Sequence, residues 1–229
     1  MANDDEAGVM PAWVAAYLDT RHVANIRARI SGVRPDAPDE INGYKLSRPG
    51  RELLTWWLSV RQGDAPPTAE DVELPSLVEL SPYLRYLSWE GEEALVIRLF
   101  GSALCEAIGL DPTGVDIFSL SQGDERSQDI ARLKLIGDLP CGAVIFRHIQ
   151  DQTGAAALVE MMTLPIEPGA DGKKRIISTV IPVDVSSNRS TLWERRLNVK
   201  EYQDLHDVLY VDLGHGIPTS SPDGSVIGR

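Results

Sequence analysis

Apolar positions recur at helical spacing early in this chain and alternate with polar ones at strand spacing later. Between Met10 and Ile30 the apolar residues Trp13, Val14, Tyr17, Leu18, Val23, Ile26 and Ile30 mark one face of a helix that Gly32 can end. Residues 34–49 are rich in Pro, Asp and Gly and read as a loop. A second helix is predicted over 53–60. Leu53, Leu54, Trp56, Trp57, Leu58 and Val60 fill one arc, Thr55 and Ser59 lie opposite, and Gly63 is the stop. The adjacent tryptophans read as packing anchors. Residues 75–82 read as a short helix, with Ser76 and Glu79 spaced for a capping box.

Two strands follow, over 84–89 and 94–100, joined across Gly91. The segment from Gly101 to Gly109 reads as a short helix with Ser102 as cap and Gly109 as stop, and Pro112-Thr113-Gly114 as a turn. Helical stretches cover 111–120 and about 125–136. Three more strands span 143–150, 156–164 and 175–183, the last two joined by a polar hairpin loop over 165–174. A mixed segment with Trp193, Leu197, Tyr202 and Leu205 leads to a last strand over 209–213. Residues 218–229 read as a disordered tail. Two strands, several short helices and three antiparallel strands predict an α+β fold. It has one five-stranded antiparallel sheet with helices over one face, an N-terminal amphipathic helix and a C-terminal extension. The divisions fall at 1–49, 50–186, 187–217 and 218–229.

Composition narrows the function more than the fold. A net charge of −12 and an isoelectric point near 4.7 argue against a nucleic-acid surface. The acidic start, Met1 to Glu6, lacks the character of an export signal, and no apolar run reaches membrane-spanning length, so a cytoplasmic location is expected. Cys105 and Cys141 have no short metal spacing and read as buried thiols.

A set of residues carries a family resemblance. Trp56-Trp57 with Arg61, then Pro67 and Asp71, precede Leu80-Ser-Pro-Tyr-Leu84. Arg98-Leu-Phe-Gly101 is followed by Ser102, Leu104, Gly109, Asp111 and Gly114, and Glu160-Met-Met-Thr-Leu-Pro165 ends the penultimate strand. Over about 53–185 the chain resembles a bacterial stand-alone PAS-type family found mainly in alphaproteobacteria. The resemblance implies a PAS fold and a sensing or interaction role, and it names no ligand or cofactor.

The chemistry is sparse. Residues 169–174 look friendly to phosphate but lack the full P-loop spacing, because Arg175 follows the lysines. His22, His148, His206 and His215 have no helical or Cys-x-x-Cys partners, so neither a metal nor a catalytic centre is expected. His148 shares a strand face with Val144 and Phe146 and reads as a core or edge histidine rather than a haem ligand. Cys105 lies in Leu-Cys-Glu, not in the Asn-Cys-Arg context of flavin photochemistry. Arg98 and Arg147 interrupt apolar strands. Either arginine, if it points into a cavity, needs an acid such as Glu160 or an anionic ligand; on the outer face it would snorkel. Ser178 and Thr179 place one hydroxyl on each face of their strand. The candidate ligand-binding residues are Arg98, Phe100, Ile108, Phe118, Arg147, Glu160, Met162 and Ser178.

The reading is a non-enzymatic, single-domain sensor or adaptor in signal transduction. It would bind a small, partly apolar ligand, or a signalling protein such as a histidine kinase or regulator, and its N-terminal helix would pack on the exposed sheet face or pair with a second copy to give a homodimer. The alternatives are a pure protein-interaction module with a filled core and, behind it, an enzyme using Glu160 with His148.

Overall fold

The computed structural model describes residues 40–120, 123–150, 156–183, 205–220 and 222. The expected helix over 10–30, the segment around Trp193 and most of the expected disordered tail lie outside them. A two-residue hairpin, β1 (Glu40–Ile41) with β2 (Tyr44–Lys45), turns through Asn42 and Gly43, both at positive φ. It leads into helix α1 (Arg48–Val60). The helix starts within the expected loop because Ser47 is a true cap: its Oγ accepts from Gly50 N at 3.1 Å, with proline in the first turn. Leu53, Leu54, Trp56 and Trp57 form its buried stripe. At roughly 2 kcal/mol per large side chain, this stripe docks the helix far more than a cap worth about 1 kcal/mol.

No capping box forms at Ser76 and Glu79. That stretch is two short 3-10 turns, Leu74–Leu77 and Ser81–Tyr83, and Ser76 Oγ instead accepts from Trp56 Nε1 at 3.0 Å. A capping box closes earlier, between Thr68 and Asp71.

The main sheet contains β3 (Leu84–Trp89), β4 (Leu95–Phe100), β5 (Gly142–Gln150), β6 (Ala156–Ile166), β7 (Arg175–Thr179) and β9 (Leu205–Val211). The order is β4-β3-β7-β6-β5-β9, with the two-residue β8 (Ile181–Pro182) also on β6. Every pairing is antiparallel. The single strand expected over 175–183 is broken at Val180, whose N–H turns away to Tyr83 O at 2.9 Å. The C-terminal extension adds its strand to the free edge of β5, starting four residues before the expected one.

Helix α2 (Ser102–Ile108) and helix α3 (Gly123–Asp138) cover one face, here the front. Ser102 is the first helical residue and Gly101 is the cap, with no side-chain hydrogen bond there. The position requires glycine, because a Cβ on Gly101 would lie 2.1 Å from the Pro82 carbonyl oxygen. Gly109 ends the helix in the left-handed conformation at φ 72°. Helix α1 covers the back face over β6 and β7. Both faces of the sheet are therefore buried. Among the described residues no helix is long and apolar enough to cross a membrane.

Candidate functional site

Strand register decides which face each candidate side chain occupies. Arg85 pairs with Ser178 and Phe100, Thr163 with Ser178 and Ala143, Met161 with Ile145, and Val159 with Arg147. Directly paired residues share a face, so Arg85, Phe100, Arg147, Met161 and Ser178 all point to the front. Glu160 and Met162 fall on the back with Phe146 and Val144. Phe118 is buried on the front and packs against Trp89, with ring centroids 5.7 Å apart. Ile108 is half-buried at the end of α2.

Arg98 joins neither face. Tyr86 pairs with Leu99 and Leu87 with Ile97, which leaves Arg98 as the extra residue of a β-bulge. It is exposed and ion-paired with Glu90. Strict alternation from Val96 to Phe100 would put Arg98 on the face of Phe100, and it fails at that one residue.

The front face holds a polar cluster. Asp129 on α3 is 8% exposed and accepts from Arg132 Nη1 at 2.6 Å and from Arg147 Nη2. The acid that meets Arg147 is therefore Asp129, not Glu160. Arg132 is 1% exposed, and its Nε has no hydrogen-bond partner. Burial lowers its basicity first; Asp129 and Tyr210 oppose that effect and Arg147 adds to it. Arg85 donates from Nε to Ser178 Oγ at 3.2 Å and from Nη2 to Met161 Sδ at 3.3 Å. Among the described residues it has no ion-pair partner, and burial together with the charge of Arg147 brings its guanidinium down to about 10. Arg85, Phe100 and Arg147 are each only partly buried although helices cover this face.

Sequence reasoning missed Arg85, Asp129, Arg132 and Tyr210. The signals were present. Arg85 alternates with Leu87 and Trp89, as Arg147 does with Ile145. Asp129 and Arg132 occupy the same helical stripe as Leu133 and Ile136. Charges inside an apolar stripe mark a polar interior.

On the back face Glu160 is fully buried and fastens the N-terminal segment. Tyr44 Oη donates to Oε2 at 2.7 Å, Ser47 N to Oε2 at 2.9 Å, and Ser47 Oγ to Oε1 at 2.6 Å. Burial raises its carboxyl above the usual range despite these donors. A Cβ on Gly50 would come within 2.4 Å of Oε1.

Residues 167–174 form a surface loop beside a cleft of about 400 Å³ lined by Trp89, Lys134, Lys173 and Lys174. Each lysine meets a carboxylate, Lys134 with Glu92, Lys173 with Glu90 and Lys174 with Asp138, so no basic phosphate cradle remains there. Cys141 is buried and its thiol is pushed up to about 12, while Cys105 donates weakly to Phe100 O at 3.6 Å. Among the described residues no group of three His, Cys, Asp or Glu side chains could hold a metal ion.

An antiparallel sheet with helices closing over a partly polar face defines a single-sheet α+β domain. A model of the PAS domain family matches residues 46–181, more than half of the chain, and the chain belongs to that family. PAS domains act in sensory signal transduction and are generally non-enzymatic. Among solved structures, the chain is similar to a LOV protein from Rhodobacter sphaeroides at 14% identity and a TM-score of 0.37, covering 51% of this chain and 72% of that one. It is also similar to the PAS domain of an HTR-like protein from Haloarcula marismortui at 15% identity and a TM-score of 0.34, covering 48% and 88%. Among curated proteins none matches.

Proposed function

We propose that this PAS domain senses a small, partly apolar molecule held between the front of the sheet and helices α2 and α3. The single observation that carries the reading is the polar patch of partly buried Arg85 and Arg147 with buried Ser178 within an otherwise apolar face. A core evolved only for packing gains nothing from such groups, because each costs desolvation that an apolar side chain avoids. Phe100 and Met161 supply apolar surface beside it. The signal passes to a partner protein, a histidine kinase or a regulator, and the chain acts as a homodimer in a reducing, cytoplasmic setting.

Native mass spectrometry of the full chain, with a thermal-shift screen of small metabolites, tests the ligand. The expected result is a retained adduct or at least one compound that raises Tm. A bare polypeptide mass and no responding compound would favour a protein-interaction module with a filled core.

A further inference from the structure

The front-face cluster has a charge pattern that the fold alone does not explain. Three guanidinium groups, those of Arg85, Arg132 and Arg147, gather on the face covered by α3. The acid that ion-pairs with them among the described residues is Asp129. Asp129 is already shared, accepting from both Arg132 and Arg147. Among the described residues Arg85 meets only a hydroxyl and a thioether, neither of which neutralises a cation. Arg132 is almost fully buried and keeps its Nε–H without an acceptor. A buried donor left unmade costs stability, and a buried cation without a counter-charge costs more. A fold keeps that cost where something else supplies the missing acceptor.

We infer that Arg85 and Arg132, with Arg147 beside them, form the binding site for a small organic carboxylate whose apolar body lies against Phe100 and Met161. This rests on the ligand-sensing reading above and gives that ligand its charge class. The planar guanidinium fork matches a carboxylate in two-point geometry. The Asp129 carboxylate in the same cluster disfavours a multiply charged anion such as phosphate, which would bring a second negative charge against it. Ser178 Oγ, now accepting from Arg85, can turn its own proton toward an incoming oxygen.

Formate, acetate and benzoate are the probes, each compared with chloride at equal ionic strength on the full-length protein by thermal unfolding. The carboxylates are expected to raise Tm by at least about 2 °C over chloride, with benzoate acting at lower concentration than acetate because of its apolar ring. Arg85→Met is expected to abolish the carboxylate response. It should also leave the ligand-free protein as stable as the wild type or more so, since it removes a partly buried charge that has no acid partner among the described residues. An arginine retained only for structure would give the opposite, a lower Tm without ligand. Arg85→Gln reads the same response if the methionine variant does not fold. The assignment is overturned by equal Tm in carboxylate and chloride, by a larger rise in phosphate than in carboxylate, or by a response that survives the Arg85 substitutions. A neutral compound retained in native mass spectrometry, with no carboxylate effect, would overturn the charge class and leave ligand sensing standing.

Discussion

Gly101 shows how little room a single position can have. Its missing side chain lets the start of α2 press onto the Pro82 carbonyl, and backbone cannot yield as a flexible side chain can. Gly101→Ala should therefore destabilise the protein by roughly 3 kcal/mol in urea unfolding, near the upper end of overpacking costs. The two cysteines should separate chemically. With its thiol at about 12 and no exposure, Cys141 is expected to resist an aromatic disulfide reagent at mildly alkaline pH until the protein unfolds. Half-buried Cys105 is expected to react slowly in the native state. Counting thiols before and after adding denaturant checks both. Arg98 and Arg147 looked alike in sequence, each a charge within an apolar strand. One inserted residue in β4 separates them, and a bulge leaves no mark in a period-two pattern.

At the scale of elements, the strands were the most legible part because their alternation is local. β3 and β4 fall within a residue of expectation, and β5 and β7 begin where the apolar runs do. Boundaries set by distant partners were harder to read. The break at Val180 depends on Tyr83, and the start of α1 depends on Ser47, which Glu160 holds from across the fold. Half of the polar cluster was legible through Arg147 and Ser178. The other half required knowing that α3 turns its charged stripe inward.

Glu160 makes the attachment of α1 depend on pH. A carboxyl held above its usual range binds its proton more tightly in the folded protein than in the unfolded chain. Its contribution is fully present below the ordinary carboxylate pKa and is lost as pH rises through the raised value. Glu160→Gln removes that titration. Relative to the wild type, the glutamine variant should gain stability as pH rises from about 4 to about 7. A constant difference between the two proteins across that range would contradict the raised carboxyl.

For the whole molecule, the segment from 40 to 47 belongs to the domain rather than to a linker. Ile41, Tyr44 and Leu46 are buried in the back-face core, and Tyr44 stacks edge-on to Phe146 at 4.7 Å between ring centroids. A chain of residues 50–229 should be less stable than one of residues 40–229 by roughly 8 kcal/mol, from the lost cap, three buried side chains and the unpaired Glu160. Urea midpoints of the two chains check this. Light scattering on the 40–229 chain beside the full chain tests the proposed homodimer while keeping the buried 40–47 segment.

Strand β6 carries adjacent residues with opposite duties. Glu160 holds the N-terminal segment on the back, and one peptide bond later Met161 lies under Arg85 on the front. Were the proposed ligand to shift the β6 backbone at Met161, the displacement would reach the neighbouring Glu160 and the clasp that fixes residues 44–47, so that one strand would join the two surfaces of the sheet.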